Sequence, residues 1–384
     1  MGPEPSRQTG EVEHDQALVE AQLYIGEIQY NQDGFDPNST EQATRMEAAV
    51  RNDWHDVIFA VNHGNAIGAR LRGDDFRPFV TALSAAAAGS QDFALMAKAL
   101  VVEIEFLDPG VYNDRVTAKL ARATALLETG RGSAVMRPGA YIMCGLAYRQ
   151  AQLWPIVEEM TVRAIEATDV PVPPTLRPIL ANSRRTAVYN QGYAIVGIAA
   201  QAYEMGKRDR IGRWKRSFEV HIKKEVFNGV NRWWADVTAI YALISALAGE
   251  APRFRIPIPV DMEQGYGDLE GLAYLLLADA VKRSDSGELA EAGELAQEAM
   301  TLLERDPDPY RLGQGERSAA YTLALHLAAH APPVSDAAVR YARHLTMFQA
   351  EARTQMIAAD YDRRDMELHR LRAELATLGS VSAR

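Results

Sequence analysis

The sequence is 384 residues long, 47% hydrophobic and carries a formal net charge of −10 at pH 7. Its length allows two or three domains or one repeat array around a large core. The acidic balance argues against general binding to a nucleic-acid backbone, which requires a surface rich in Lys and Arg.

The location predicted from composition is the cytoplasm. Cys144 is the only cysteine, which excludes an internal disulfide bond and is typical of a reducing compartment. The N-terminus has no basic region followed by an apolar run, so no secretory signal is predicted. No apolar stretch reaches the ~18 residues of a membrane span.

Nearly every segment after residues 1–13, which are polar and expected to be disordered, has the apolar spacing of a helix. Gly and Pro clusters such as Asp108-Pro109-Gly110 and Pro332-Pro333 separate these segments. No long segment alternates at period two, so we predict an all-α fold. The predicted helices span 14–30, 40–71, 75–88, 91–107, 112–129, 138–151, 154–168, 182–205, 208–227, 231–249, 266–284, 288–305, 315–331 and 335–378.

Small and aromatic residues recur where tetratricopeptide helix pairs touch, without a strict 34-residue period. From roughly residue 138 to 344, about half of the chain, the sequence resembles that family. The resemblance implies a tetratricopeptide-like α-solenoid, whose concave face usually binds a protein or peptide; an irregular helical bundle is the alternative. The matching residues are Tyr141, Cys144, Gly145, Tyr148, Val157 and Ala164; Ile195, Ile198, Ala199, Ala202, Ile211 and Phe218; Leu276, Ala280, Gly287, Ala292 and Ala299; and Ala320, Tyr321, Ala324, Ala337 and His344.

The C-terminal region contains neither Pro nor Gly from Arg343 to Leu378, which predicts one helix of roughly 36 residues, about 54 Å long. Seven of its residues alternate at spacings of four and three, the seam of a coiled coil. A polar helix with one such stripe needs a partner, most simply its own copy in a homodimer. Arg364 would weaken the pairing locally unless its side chain extends outward. The seam residues are Ile357, Tyr361, Arg364, Leu368, Leu371, Leu375 and Leu378.

The start of this helix, Tyr341-Ala342-Arg343-His344-Leu345, resembles the junction that precedes diguanylate cyclase (GGDEF) output domains in bacterial signalling proteins. The resemblance implies the sensor part of such a protein. The chain itself contains no Gly-Gly-Asp/Glu-Glu-Phe motif, so no cyclase activity is expected of it.

The densest group of binding-type residues lies between Arg184 and Trp234. Aromatic and Arg side chains with amide groups are what a ligand or peptide groove uses, although the same residues also fill gaps between packed helices. His55 and His63 are eight residues apart, too far to chelate one ion from one helix, so neither a metal nor a cofactor is predicted. The candidate groove comprises Arg184, Arg185, Tyr189, Asn190, Tyr193, Trp214, Asn231, Trp233 and Trp234.

We therefore divide the chain into a disordered N-terminus (1–13), an N-terminal helical region (14–137), helical repeats (138–344) and a coiled-coil connector (345–384). The predicted function is a regulatory or sensory module that binds a protein, a peptide or a small ligand and dimerises through its last helix. A stand-alone scaffold or assembly factor is one alternative. A polysaccharide-acting enzyme on an α/α toroid is another, since aromatic and amide groups also bind sugars, but no catalytic motif is present.

Overall fold

The computed structural model describes residues 84, 87–88, 92–107, 113–172, 174, 177–225, 233–253, 269–305, 319–330 and 350–381. Within these ranges the chain forms eleven α-helices and no strand, which confirms the all-α prediction. The predicted helices 14–30 and 40–71 lie outside the described residues. So does the predicted helix 75–88, apart from residues 84, 87 and 88, which are helical.

Most helices begin and end within a few residues of the predicted positions. The last helix, predicted over 335–378, is described from Ala350 and ends at Val381; residues 331–349 lie outside the described part of the chain. A larger difference is at the helix predicted from residue 182, which begins at Arg177 because Pro178 is in the first turn, where its missing N–H is no loss. The helices are α1 (Phe93–Leu107), α2 (Asp114–Glu128), α3 (Met136–Gln150), α4 (Trp154–Ala167), α5 (Arg177–Glu204), α6 (Ile211–Glu225), α7 (Trp233–Leu247), α8 (Leu269–Asp285), α9 (Leu289–Arg305), α10 (Ala319–Ala329) and α11 (Ala350–Val381).

Tight turns join several of these helices. Gly206 ends α5 at φ +68° and Gly287 ends α8 at φ +82°, a conformation that glycine adopts without strain. After each, a backbone N–H caps the helix: Lys207 N donates to Ala202 O at 2.7 Å, and Glu288 N donates to Arg283 O at 2.9 Å. Such turns connect α5 to α6 through one 3₁₀ turn (Arg208–Arg210), and α8 directly to α9.

Consecutive helices pack on one another. α1 packs on α2, and α7, α8, α9 and α10 form a series in which each helix contacts the next. Several of the small residues that carried the tetratricopeptide resemblance are buried on these helices, whereas Gly287 is exposed in the turn between α8 and α9. The buried ones include Ala280, Ala292, Ala299, Ala320 and Ala324. This packing is compatible with a helical solenoid.

The contacts divide the chain into two compact units. Among the described residues, unit 1 holds those up to Ala147, Arg163–Arg184 and those from Ala358 onward. Unit 2 holds Tyr148–Val162 and Arg185–Ile357. The sequence-based division at residues 137 and 344 stays a prediction.

Two glycines of α5 allow close contacts within unit 2. A Cβ atom at Gly197 would lie 2.3 Å from the indole ring of Trp154, and one at Gly192 would lie 2.4 Å from the ring of Phe218. Both distances are shorter than real Cβ contacts, so only glycine permits this approach. α5 is consequently fixed against the aromatic side chains of α4 and α6.

Candidate functional site

The predicted groove residues on α5 do not share one environment. Tyr189, Asn190 and Tyr193 are buried, with exposed fractions of 8%, 7% and 4%. The Asn190 amide donates to Thr186 O at 2.9 Å, within its own helix. Arg185 is half-buried. In this conformation the three buried side chains belong to the core of unit 2.

Tyr193 is the centre of an aromatic cluster. Its ring centroid lies 6.3 Å from that of Trp154 and 6.1 Å, edge to face, from that of Tyr274. The guanidinium of Arg149 lies 4.3 Å from the Tyr193 ring centroid, a cation–π contact. These contacts join α3, α4, α5 and α8.

Tyr274 is wholly buried, and its hydroxyl donates to Glu270 Oε1 at 2.6 Å. Burial and the neighbouring Glu270 carboxyl raise the pKa of Tyr274 well above its ordinary value. The phenol therefore stays protonated at neutral pH and acts as a hydrogen-bond donor to a buried carboxyl.

Arg184 belongs to unit 1 and lines a cavity of about 310 Å³ between the loop after α4 and the first two turns of α5. Its Nη1 donates to Asp169 Oδ1 at 2.6 Å and to Thr168 Oγ1 at 3.2 Å. The volume is near the lower end of small-molecule pockets. Asp169 already neutralises Arg184, however, so the cavity does not present a strong anion site. Its other lining residues are Val170, Pro171, Val172, Arg177, Leu180 and Ala181.

Trp214 is half-buried on α6, and the guanidinium of Arg213 lies 4.5 Å from its ring centroid. Asn231 lies outside the described residues. α7 begins at Trp233, but the side chains of Trp233 and Trp234 also lie outside the described part of the structure. Whether these aromatic residues line a groove therefore stays a prediction.

Sequence reasoning missed a polar network that crosses α4, α5 and α6. Gln191 Nε2 donates to Glu158 Oε1 at 3.2 Å and to Ser217 Oγ at 3.2 Å, while Gln191 Oε1 lies 2.7 Å from His221 Nδ1. Because the Gln191 oxygen accepts, His221 carries its proton on Nδ1 in this arrangement. Burial raises the pKa of Glu158. No sequence motif marks this network, since its members are single polar residues on three different helices.

A second missed network surrounds Lys215, whose side chain is 1% exposed. Its Nζ lies 3.1 Å from Glu219 Oε1 and 2.9 Å from Glu250 Oε2. The Tyr241 hydroxyl also donates to Glu219 Oε1, at 2.8 Å. Burial and this bond raise the pKa of Tyr241 to about 12. The network joins α6 to α7, and the spacing of four between Lys215 and Glu219 was its signal in the sequence.

The C-terminal seam is partly buried within the single chain. Arg364 is 5% exposed and Leu371 is 2% exposed, while Ile357, Tyr361 and Leu368 are half-buried. The side chains of Leu375 and Leu378 lie outside the described residues, as do the first seven residues of the predicted helix, 343–349.

One of the two sequence-based interpretations had the Arg364 side chain extending into solvent. In the structure it does not. Its guanidinium lies 4.4 Å from the Tyr361 ring centroid, and its Nε lies 3.6 Å from Glu128 Oε1. Glu128 also receives Arg163 Nη1 at 3.0 Å. Two arginines from α11 and α4 therefore meet one carboxylate at the end of α2.

Further ion pairs join α11 to α2. Arg122 Nη1 donates to Glu367 Oε1 at 2.7 Å, and its Nη2 lies 3.7 Å from Glu374 Oε2. Arg363 Nη2 donates to Asp114 Oδ1 at 2.8 Å. α11 is thus held to α2 by long charged side chains from both helices.

Two kinds of catalytic feature, a reactive cysteine and a cluster of metal ligands, are not found among the described residues. Cys144 is buried, and burial raises the pKa of its thiol to about 12, so it is no nucleophile at neutral pH. Within the described ranges no three His, Cys, Asp or Glu residues are grouped as metal ligands would be. His55 and His63 lie outside those ranges. None of the described helices is both long and apolar enough to cross a membrane.

Comparison with known proteins gives no relative: no family model, no curated protein and no solved structure matches this chain.

Proposed function

We propose that the chain is a helical-repeat interaction module, of tetratricopeptide-like solenoid type, that binds a protein or peptide partner and controls its own dimerisation through α11. The observation that carries the proposal is that part of the predicted heptad seam is buried within a single chain. Arg364 and Leu371 belong to the heptad seam that would pair two chains, yet both are buried within a single chain.

One helix face cannot be covered twice. Pairing of two chains through Arg364 and Leu371 requires that α11 first leave its intramolecular contacts. Docking and pairing therefore compete, and a partner that binds one state better shifts the equilibrium by its difference in affinity. The module then reports partner binding as a change in dimerisation.

The polar character of the α11 contacts supports reversibility. The pairs between α2 and α11 are partly exposed; the Arg122 side chain is 24% exposed and that of Glu367 is 18% exposed. Pairs of this kind contribute about 0.2–1 kcal/mol each. These exposed pairs can be exchanged at low cost, so the buried Arg364 and Leu371 are the contacts whose loss the binding of a partner must offset.

The resemblance at Tyr341–Leu345 extends the proposal to a sensor part. In that arrangement the two copies of α11 would lead to paired output domains, and release of α11 would set their spacing. A stand-alone scaffold, the alternative, would use the same interaction surface. Its function would not require α11 to change between docking within one chain and pairing with a second chain.

The test uses Arg122→Glu, which places a carboxylate against Glu367 and Glu374 and leaves every residue of α11 unchanged. We expect light scattering of the full chain to show a roughly tenfold shift towards the dimer, since the lost and reversed pairs amount to about 1.4 kcal/mol. Arg115→Glu is the matched control, because Arg115 is on α2 but pairs with Glu103, at 3.4 Å.

Adding Glu367→Arg to the Arg122→Glu variant should restore docking and reverse the shift. A mass equal to one copy in every variant and at every concentration would exclude dimerisation through α11 and leave the scaffold as the better interpretation.

A further inference from the structure

The outer face of α6 has an unusual concentration of positive charge. Residues 207–224 contain eight basic and two acidic residues, and four of the seven lysines of the chain, although the net charge of the chain is −10. The exposed residues at spacings of three, three, seven and one follow one side of the helix. We name them the basic stripe: Arg210, Arg213, Arg216, Lys223 and Lys224.

Stability of the helix does not explain the first half of this stripe. α6 has no acidic residue in its first turn, where Arg213 lies, and Arg210 precedes it directly. Positive charge at a helix N-terminus opposes the helix dipole. Only Lys223 and Lys224, in the last turn, are placed where the dipole favours them. Arg213 lies near the carboxylate of Glu158 and Arg216 near that of Glu250, but both side chains remain exposed and can contact a further partner.

The stripe has an apolar centre. Val220 lies between Arg216 and Lys223 and is 54% exposed, one of the few large hydrophobic side chains so exposed in the described part of the chain. Trp214, with Arg213 over its ring, is half-buried on the flank of the stripe. The surface therefore offers cations together with a small apolar contact.

The combination of cations with an exposed apolar side chain distinguishes between two kinds of polyanion, a nucleic acid and an acidic polypeptide. A nucleic-acid backbone needs an extended basic surface and gains nothing from an exposed valine, and the negative charge of the whole chain repels it at long range. An acidic polypeptide with an apolar residue satisfies both parts of the surface. We propose that the basic stripe of α6 is the docking surface for an acidic protein segment that places an apolar side chain on Val220.

This inference names the partner chemistry for the interaction module proposed above, and it rests on that proposal only in requiring that a protein partner exist. It does not depend on α11, so the two can fail separately.

The experiment measures fluorescence anisotropy of a dye-labelled peptide with the full chain. The probe is a Glu/Asp peptide with a central Leu and about ten residues, enough to span the ~22 Å length of α6 in an extended conformation. We expect binding that weakens as salt rises. Substituting Arg210→Gln, Arg213→Gln and Arg216→Gln together should weaken it about tenfold, the effect of losing three exposed ion pairs.

The matched control removes the same charge elsewhere, with Arg131→Gln, Lys282→Gln and Arg372→Gln at three exposed positions. This variant should bind the peptide like the parent chain. The stripe variant should melt close to the parent by circular dichroism, because the repulsion relieved at the start of α6 offsets the lost contact between Arg213 and Trp214. Val220→Ser should weaken the Leu-containing peptide several-fold and leave a Ser-containing peptide unaffected.

Absence of peptide binding up to about 1 mM, where binding is worth only ~4 kcal/mol, would overturn the inference. Equal loss in the stripe variant and the dispersed control would do the same. If single-stranded DNA of equal charge bound more tightly than the peptide, and lost affinity in the stripe variant, the surface would be a phosphate-binding one. A stripe variant that binds normally while Arg122→Glu still shifts the mass would refute the stripe and leave the exchange of α11 intact.

Discussion

Gly197 lies in the middle of α5 against the indole of Trp154, where a Cβ atom would be 2.3 Å from the ring. Helix propensity alone favours Ala over Gly by about 1 kcal/mol in a helix interior. Overpacking a core costs about 1–3 kcal/mol, and a rigid indole cannot give way as a flexible side chain does. We expect Gly197→Ala to lower the free energy of unfolding by about 1–2 kcal/mol in urea titrations.

The control for this prediction is Gly139, in the first turn of α3, where the nearest atoms to an added Cβ are those of Lys98 at 3.5 Å. Because that distance is ordinary van der Waals contact, Gly139→Ala should raise the free energy of unfolding by up to about 1 kcal/mol. Equal effects at both positions would contradict the close contact between α5 and Trp154.

Lys98 is buried in α1 with an exposed fraction of 4%, and burial lowers its pKa from 10.5 to about 8 while Asp92 opposes that shift. Between these two values the unfolded chain binds more protons than the folded chain, so Lys98 makes stability rise with pH across that window. Below pH 8 the charged ammonium is buried at a cost.

Lys98→Met removes this cost. We expect the variant to be more stable than the parent at pH 7 by about 1–3 kcal/mol, with the difference shrinking as the pH approaches 10.5. Denaturant titrations of both proteins at several pH values measure it. A difference that stays constant with pH would mean that Lys98 does not lose its proton in the folded chain.

The same residue types serve packing and binding, which limits how far the candidate site could be predicted from the sequence. Tyr189 and Tyr193 were predicted as possible groove residues from their type, and they are four residues apart in the sequence. The spacing does put them on one face of α5, but that face is in the core. Whether an aromatic face is open or covered depends on which helices pack against it, and those contacts are far apart in sequence.

At the scale of the element, helix positions were predicted well because local signals determine them. Apolar spacing and Gly or Pro punctuation gave bounds such as 154–168 and 288–305, against observed Trp154–Ala167 and Leu289–Arg305. The predicted start of α5 at residue 182 treated the prolines from Pro171 to Pro178 as a break between helices, but a proline can equally well lie in the first turn of a helix.

The heptad pattern of α11 has a similar limit. It identified a helix with one face that must be covered, and Arg364 and Leu371 are indeed buried. An apolar stripe, however, encodes that a face is buried and not what covers it. The intramolecular ion pairs from Arg122 and Glu128 to α11 join residues more than two hundred positions apart, a relation that no periodicity reveals.

At the scale of the whole molecule, charged residues are distributed unevenly along the chain, and the net charge alone does not reveal this. The net charge of −10 argues against polyanion binding, yet the basic stripe concentrates cations on one face of α6. The helical spacing of Arg210, Arg213 and Arg216 is visible in the sequence. Their common exposure became clear only from the structure, in which the opposite face of α6, including Phe218 and Ile222, is buried.

The oligomeric state is the property of the whole molecule that the proposed exchange of α11 controls. We expect the mass of the full chain to rise with concentration from one copy towards two, because docking of α11 competes with pairing. A chain that ends at Thr346 lacks α11 and should keep the mass of one copy at every concentration.

Removing α11 also leaves Arg122, Asp114 and Glu128 without their α11 partners, so the truncated chain could lose stability for that reason alone. A second variant, Leu375→Glu with Leu378→Glu in the full chain, keeps those ion pairs and places two charges in the predicted seam, where they should abolish pairing. Light scattering across a concentration series measures all three proteins. If the truncated chain and the double variant both dimerised like the parent, the dimer contact would lie elsewhere and α11 would have no part in it. Loss of the dimer in both would establish that two chains pair through the predicted seam of α11, to which the buried Arg364 and Leu371 belong.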